Sequence, residues 1–381
     1  MAVKISRIEC LSVPYPTRGR FKFFEDARGR PLGRPSVLVR IEADNGAVGY
    51  GQSVPVPKWS YETPETVVST IRNYLAPALI GADVYDIEGI HERMDRAIAP
   101  SFSIGQPICK AGVDLAVHDL VGRIEEKSVR DLWGLHGKKE WLELSWTLNP
   151  RSLGEVEGLI AEGKAEGHSN FNVKVAPDPA FDIELCKLVK TLAPETFLWA
   201  DANGGYTEEA ALAAAPKLAD AGVDVLEQPL PANHLTGYRK LKKQGALPII
   251  LDEGVVSHRD LIEFHDLGLL DGVAMKPARC AGLLEAKKQV EILRERELWF
   301  LGSGLTDPDF SLAAALQLYA AFDLDRPAAL NGPQFLAASF LKAPWEIREG
   351  KIRVPRGPGL GVELDEGKLA EMLDGESPQW A

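Results

Sequence analysis

Five short apolar segments in the middle of the chain each end on an ionisable residue. The segments read FNVK, FLWAD, VDVLE, PIILD and GVAMK, and they end at Lys174, Asp201, Glu227, Asp252 and Lys276. Consecutive members of this series are 24 to 27 positions apart, and stretches of helical periodicity such as EEAALAAAPKLADAG separate them. The pattern predicts a repeated unit of one buried strand, a charged residue at its C-terminal end and a returning helix.

Repetition of such units predicts an α/β barrel of parallel strands. We expect its first strand in WLELSWTLNP near residue 141 and its closure near AALNGP around residue 330. Counting strands places Lys174 on the second, the three carboxylates on the third to fifth, and Lys276 on the sixth. The second and sixth strands are opposite each other in a ring of eight.

The five ionisable residues are therefore expected to share one site, because side chains at the C-terminal ends of barrel strands converge on a common mouth. A single charged residue after a strand can equally cap the next helix or meet water. Five ionisable residues at matching strand ends favour the shared site, in which two ammonium groups face each other across three acids.

The N-terminal part has a different pattern. KISRIECLSVPY alternates as a strand does, and SVLVRIEADNGAVGYGQS predicts a hairpin that turns at Asp44, Asn45 and Gly46. From TPETVVSTIRNYLAPALIG to QPICKAGVDLAVHDLVGRIEE the periodicity is helical. Residues 1–138 are therefore predicted to form an α+β domain, and residues 139–335 the barrel.

A long loop, YPTRGRFKFFEDARGRPLGRP, separates the first two of these strands. Its basic residues are Arg18, Arg20, Lys22, Arg28, Arg30 and Arg34, and its acids are Glu25 and Asp26. One interpretation is a lid whose cations, Arg18 and Arg20 first, attract an anionic substrate while Phe21, Phe23 and Phe24 exclude water. The alternative is a disordered, solvated insertion.

Composition limits the possible partners. With 381 residues, 45% of them hydrophobic, the chain can bury a large core and hold more than one domain. A net charge of -12 argues against nucleic acid or an anionic membrane as the main partner. The four widely spaced cysteines, together with an N-terminus that lacks an apolar signal segment, favour a reduced, cytoplasmic protein.

Three acids without histidine or thiolate favour a hard cation bound through oxygen. Such a site suits Mg²⁺, and Mn²⁺ could substitute. The alternative is an ion-pair network between the acids and the two lysines, with no metal. Because three converging negative charges are unfavourable without a cation, we predict that Asp201, Glu227 and Asp252 bind the metal. No histidine is assigned a catalytic role.

A divalent cation that faces two lysines suits removal of a weakly acidic proton next to a carboxylate. The metal would stabilise the charge that builds up on the two oxygens of an enediolate. A lysine acts as the base if its pKa is lowered by burial and nearby positive charge. Lys174 and Lys276 would then take and return a proton on opposite faces of the carbanion.

These residues resemble the enolase superfamily, in its muconate lactonizing enzyme and mandelate racemase branch, and within it the former subgroup. The resemblance rests on NVK, DANGGYT, LEQPL, LDEG and MKPARCAGL in the barrel and on NGPQFL and GPGLGVELDE beyond it. It implies a modified (β/α)7β barrel with a capping domain that residues 336–381 complete. It also implies acid/base roles for Lys174 and Lys276, metal binding by the three acids, and places for Asn203 and Glu253 around them.

The chain departs from the family pattern at positions that bear on which substrate it binds. Many members have Lys-x-Lys on the second strand, whereas this chain has Asn172 at the first position. The usual glutamate of the seventh strand is replaced within GSGLTDPDF, where Thr306 or Asp307 takes its place. The pair Asp323 and Asp325 resembles an amine-binding motif of dipeptide epimerases, but the register favours a helix-ending loop there.

Three functions are compatible with this sequence. The favoured one is a Mg²⁺-dependent isomerase, either a racemase, an epimerase or a cycloisomerase, acting on a small anionic carboxylate. The second is a dehydratase in which the carbanion expels a β-hydroxyl group. The third is a non-catalytic binding protein that retains the fold. Resemblance alone implies a homo-oligomer.

Overall fold

The computed structural model describes residues 2–25, 28, 30, 32–100, 103–135, 137–373 and 378–381. Asp26, one of the two acids counted in the basic loop, lies outside the described residues. Throughout the described ranges, no helix combines the length and the apolar character that crossing a membrane requires.

The N-terminal part contains a three-stranded antiparallel sheet in the order β1–β2–β3. The strands are β1 (Ile5–Ser12), β2 (Val37–Ala43) and β3 (Val48–Ser53). The predicted hairpin joins β2 and β3, and its turn is closed by the N–H of Gly46, which donates to Ala43 O at 2.9 Å. Gly46 has φ +85°, a left-handed conformation that a glycine adopts without strain.

Helices cover one face of this sheet. They are α1 (Pro64–Thr70), which continues through a π-helical turn (Ile71–Leu75) into α2 (Ala76–Leu79), then α3 (Ile87–Ala97), α4 (Pro107–Ile124) and α5 (Val129–Leu132). Helix α4 is buried along nearly its whole length because it packs between the sheet and the rest of the molecule. Gly51 of β3 and Gly112 of α4 allow this approach, since a Cβ atom on Gly51 would collide with Gly112 O.

Seven parallel strands form the predicted barrel sheet. They are β5 (Ser145–Leu148), β6 (Asn170–Lys174), β7 (Leu198–Asp201), β8 (Val225–Glu227), β9 (Ile249–Leu251), β10 (Gly272–Met275) and β11 (Trp299–Gly302). The intervening helices are α6 (Val156–Ala165), preceded by a 3-10 turn (Leu153–Glu155), α7 (Pro179–Leu192), α8 (Glu208–Asp220), α9 (Leu235–Gln244), α10 (His258–Asp266), α11 (Leu283–Glu295) and α12 (Asp309–Ala321). Each strand pairs with its sequence neighbour, as β/α repetition requires.

The eighth strand position is reduced to two bridges that close the ring. Ala328 pairs with Leu144 beside β5, and Ala329 pairs with Ser303 beyond β11. This closure lies where the sequence predicted it. The segment WLELSWTLNP, expected to be one strand, is instead two, because β4 (Trp141–Glu143) leaves the barrel and pairs with another strand.

The C-terminal segment contacts both parts of the molecule. After α13 (Gly332–Phe335), the strands β12 (Ile347–Arg348) and β13 (Lys351–Arg353) form a small antiparallel sheet with β4, and α14 (Glu366–Met372) follows. The final residue, Ala381, exchanges two backbone hydrogen bonds with Cys10 of β1. The domain boundaries at residues 138 and 335 stay a prediction.

Gly51→Ala is expected to lower the free energy of unfolding by about 1–3 kcal/mol, because the new methyl group forces β3 away from α4. Gly158→Ala is the matched control. Gly158 lies exposed in α6 with no atom near its added Cβ, so this change should stabilise the protein by roughly 0.5–1 kcal/mol. Urea unfolding of both variants checks the pair; equal stability of Gly51→Ala and the parent would contradict the packing argument.

Candidate active site

The C-terminal ends of five adjacent barrel strands carry the ionisable residues of the site. Lys174, Asp201 and Glu227 are the last residues of β6, β7 and β8, and they are direct neighbours in register. Asp252 and Lys276 come directly after β9 and β10. Because the strands are parallel and aligned, all five side chains start from the same edge of the sheet.

Four of these residues, Lys174, Asp201, Glu227 and Lys276, line one cavity. Asp201, Glu227 and Lys276 are at most 4% exposed, and Asp252 beside them is fully buried. The residues lining the cavity are Phe21, Phe23, Phe24, Val56, Trp59, Asn172, Lys174, Asp201, Asn203, Glu227, Lys276, Ser303, Gly304, Leu305, Thr306, Ala329 and Asn331. Its free space of about 30 Å³ holds one or two water molecules.

Each lysine is paired with a different carboxylate. Lys174 Nζ contacts Asp201 Oδ2, and Lys276 Nζ contacts Asp252 Oδ2. Lys276 Nζ also lies 3.7 Å from Glu227 Oε1. The second oxygen of Asp252 contacts Arg279, a buried cation that sequence reasoning missed, although it stands three residues after Lys276.

The charges of the cluster shift one another's ionisation. Burial disfavours the charged form of Asp201, but the ammonium groups of Lys174 and Lys276 outweigh burial and lower its pKa. Burial and the charge of Asp201 together hold the pKa of Glu227 well above its usual range. Burial disfavours the charged form of Lys174, yet the carboxylates of Asp201 and Glu227 raise its pKa, so the amine is protonated in this arrangement.

The cluster has the donor chemistry of a hard-metal site. All its donors are carboxylate oxygens, and among the described residues the buried Oε1 of Glu227 and Oε2 of Glu253 have no hydrogen-bond partner. Trp199 Nε1 fixes the other oxygen of Glu227 at 2.6 Å. Oxygen donors with an unmet acceptor fit Mg²⁺ or Mn²⁺.

The described part of the chain nevertheless has no three His, Cys, Asp or Glu side chains in coordinating positions. The lysines and Arg279 lie on the carboxylate oxygens instead. The ion-pair network that the sequence left open is therefore present, and the identity of the metal stays a prediction.

Asn203 and Glu253 lie beside Asp201. The backbone N–H and side-chain amide of Asn203 donate to the two oxygens of Asp201 at 2.8 and 3.1 Å, and the same amide lies 3.5 Å from Glu253 Oε1. Glu253 is not part of the cavity wall. Burial, followed by the charges of Asp252 and Asp201, raises the pKa of Glu253 to about 8.

A chain of hydrogen bonds orients Asn172, the residue that stands at the first lysine position of the Lys-x-Lys pattern. Thr147 Oγ1 donates to Asn172 Oδ1 at 3.1 Å and accepts from Asn331 Nδ2 at 3.3 Å. The oxygen of the Asn172 amide is thereby occupied, so its NH₂ group is the part left for another partner. Sequence reasoning placed Asn331 at the closing strand but missed Thr147, which has no motif of its own.

Asp307, Arg18 and Arg20 also lie outside the cavity wall. Asp307 accepts from Ser311 Oγ at 2.7 Å and turns away, whereas its neighbour Thr306 lines the cavity. Arg18 donates to backbone oxygens of the closing segment, and Arg20 pairs with Glu25 at 3.2 Å. Both arginines line a separate space of about 390 Å³ beside β5. Their expected contact with the substrate stays a prediction.

The aromatic part of the basic loop does cover the cavity. Phe21, Phe23 and Phe24 all line it, and the ring centroid of Phe21 lies 6.0 Å from Lys174 Nζ. The ring centroid of Trp59, which packs against the same aromatic cluster, lies 5.3 Å from Lys276 Nζ. Trp59 was not predicted, because nothing in its local sequence distinguishes it from a packing residue.

Comparison with known proteins identifies the family that this architecture matches. Residues 156–368 match the family described as enolase C-terminal domain-like, and residues 25–134 match the mandelate racemase / muconate lactonizing enzyme N-terminal domain. Chloromuconate cycloisomerase CbnB of Cupriavidus necator is 32% identical over 87% of this chain and 90% of its own. N-succinyl-L-Arg/Lys racemase of Bacillus cereus is 25% identical over 97% of this chain and 98% of its own.

Solved structures of cycloisomerases have the same fold. The crystal structure of 2-chloromuconate cycloisomerase from Rhodococcus opacus 1CP superposes with a TM-score of 0.87 at 27% identity, covering 98% of this chain and 99% of that one. Muconate lactonizing enzyme from Pseudomonas fluorescens, complexed with muconolactone, gives 0.88 at 25% identity, covering 98% and 100%. Muconate cycloisomerases of this superfamily are metal-dependent. The chain is thus an isomerase with a modified TIM-barrel fold, and it belongs to the mandelate racemase / muconate lactonizing enzyme family of the enolase superfamily.

Proposed function

We propose that the protein isomerises a small carboxylic acid by moving the proton on the carbon next to the carboxylate, with Lys174 and Lys276 as the acid/base groups. The observation that carries this proposal is that both amines line one cavity, from the second and sixth barrel strands, with the acids on the strands between them. Amines on opposite sides of a planar carbanion can take a proton from one face and return it to the other.

The acids Asp201, Glu227 and Asp252 would hold Mg²⁺, with Mn²⁺ as a substitute. When bound, the ion supplies positive charge that stabilises the negative charge developing on the substrate carboxylate. Transfer of the acids to the ion would also remove the carboxylate charge that now raises the pKa of Lys174.

The cavity wall supports a flat, unsaturated acid as the first substrate to test. Aromatic rings of Phe21, Phe24 and Trp59 form one side, and the NH₂ group of Asn172 can donate to a carboxylate oxygen on the other. A muconate-type dicarboxylate has this shape, and several relatives about 30% identical are named for that chemistry. An N-succinyl amino acid, after the racemase relative, is the second acid to test.

Incubation in D₂O with a panel of carboxylates should give deuterium at the α-carbon of one acid and of its isomer. Lys174→Ala and Lys276→Ala should each lower turnover by roughly a thousandfold, because each removes a proton-transfer group. The control is Lys187→Ala, which removes an exposed lysine of α7. NMR of the recovered acids follows the label. Net loss of water to an unsaturated product would indicate a dehydratase, and full turnover by both alanine variants would refute the proposed roles.

Removal of divalent ions by a chelator should abolish turnover, and addition of Mg²⁺ should restore it.

Asp201→Asn should weaken Mg²⁺ binding by more than about tenfold, since it replaces a charged oxygen ligand. Glu209→Gln, an exposed change on α8, should leave binding unaltered. Titration calorimetry with Mg²⁺ measures both variants independently of turnover. Unchanged binding by Asp201→Asn would exclude this residue as a ligand.

Thr147→Val should reduce kcat/KM by about tenfold, because the amides of Asn172 and Asn331 lose the hydroxyl that sets their orientation. Thr147→Ser keeps the hydroxyl and should retain most of the activity. Steady-state kinetics on both variants separates the hydrogen bond from the change in side-chain volume. Equal activity of the valine and serine variants would show that the chain does not orient Asn172.

A further inference from the structure

The side chain of Gln334 binds the backbone of the first barrel strand. Its Oε1 accepts from the N–H of Thr147 at 3.0 Å, and its Nε2 donates to Thr147 O at 3.0 Å. Gln334 belongs to α13, the short helix that follows the closure of the ring. One side-chain amide therefore provides a partner for both backbone polar groups of Thr147.

This contact takes the place of a missing strand. Two residues earlier in β5, the N–H of Ser145 donates to the backbone oxygen of Ala328 at 2.9 Å. Residues two apart on a strand direct their backbone groups to the same neighbour, so Ser145 and Thr147 both face the eighth strand position. Beyond Ala329 the chain turns into α13, and the amide of Gln334 then binds the groups that a strand backbone would otherwise pair.

Thr147 connects this contact to the active cavity. Its hydroxyl donates to Asn172 Oδ1 at 3.1 Å and accepts from Asn331 Nδ2 at 3.3 Å. Asn172 and Asn331 line the cavity, whereas Gln334 and Thr147 line the separate space beside β5. Gln334 can therefore affect a bound substrate only through its neighbours.

The position of the Thr147 hydroxyl follows from the position of its backbone. A β-branched side chain has few allowed χ1 rotamers, so a shift of the Thr147 backbone moves the hydroxyl with it. Thr147, Asn172 and Asn331 are at most 7% exposed. In such buried surroundings the hydrogen bonds of a network strengthen one another, and loss of one member disturbs the rest.

We propose that Gln334 is a positioning residue of the reaction: it holds the backbone of Thr147 so that the Thr147 hydroxyl orients the amides of Asn172 and Asn331 in the cavity. This inference rests on the proposed function, because Asn172 is the residue proposed to bind the substrate carboxylate. Gln334 thereby acts on substrate binding without touching the substrate.

The kinetic test uses Gln334→Leu, which removes both hydrogen bonds and keeps a side chain of similar size. It should lower kcat/KM about fivefold, chiefly through a higher KM, because the amides bind the acid and do not move its proton. Combined with Thr147→Val, it should cause little further loss, because the hydroxyl that it positions is already absent. Losses that multiply in the double variant, or no loss in Gln334→Leu, would overturn this role.

Gln244→Leu is the matched control. Gln244 Nε2 also donates to a backbone oxygen, that of Leu212 at 2.9 Å, but neither residue lines the cavity. This variant should keep the kcat/KM of the parent. A loss equal to that of Gln334→Leu would show that removal of any such amide contact lowers activity, and it would contradict a specific role for Gln334.

NMR measures the orientation of Asn172 without turnover. With ¹⁵N supplied only in asparagine, the side-chain amide signals of Asn172 are assigned from their loss in Asn172→Ala. Gln334→Leu should shift these signals, and Gln244→Leu should not. Unchanged signals in Gln334→Leu would refute the positioning role, whether or not the parent exchanges an α-proton in D₂O.

Gln334→Glu replaces Gln334→Leu in both measurements if the leucine variant does not fold. Glutamate has the same size and keeps an acceptor for the N–H of Thr147, but its carboxylate has no donor for Thr147 O. It should therefore shift the Asn172 signals and raise KM in the same direction. Parent-like signals and KM in this variant would contradict the proposal.

Discussion

The structure depends on the close approach of carboxylates and amines that are buried together at one end of the barrel. Burying an unpaired charge costs several kcal/mol, so no member of this cluster could lie there alone. Lys174 offsets Asp201, while Lys276 and Arg279 offset Asp252. Glu227 has the weakest compensation, with Lys276 3.7 Å away, and burial together with the charge of Asp201 holds its pKa well above its usual range. A cation bound by the acids relieves this imbalance.

The fold supplies the geometry that this cluster requires. Parallel strands in register fix the distance between neighbouring strand ends, and closure through Ala328 and Ala329 completes the ring. The capping part then covers the mouth with aromatic rings from two loops, around Phe21 and Trp59. Exclusion of water strengthens every charge interaction inside the cavity, which is the condition under which a lysine can exchange a weakly acidic proton.

The barrel and its five strand-end residues could be predicted because each unit repeats a local pattern. The direction of Arg18 could not, since it follows a partner that is distant in sequence, Gln334. Nor did the local sequence show that Arg20 pairs with Glu25 or that Asp307 accepts a hydrogen bond from Ser311. Distance in sequence also hid the hydrogen bonds from Asn331 to Thr147 and on to Asn172, which connect β5 and β6 to the segment that closes the ring. The sequence did not show the break between β4 and β5, because the two strands together have the pattern of one continuous strand.

The most direct test of the central claim is a crystal structure with Mn²⁺ and a bound carboxylate product, with anomalous scattering used to locate the metal. We expect one manganese peak bound by Asp201, Glu227 and Asp252, and the carbon next to the product carboxylate between the amines of Lys174 and Lys276. A metal bound elsewhere, or a product that only one of the two amines can reach, would contradict this account.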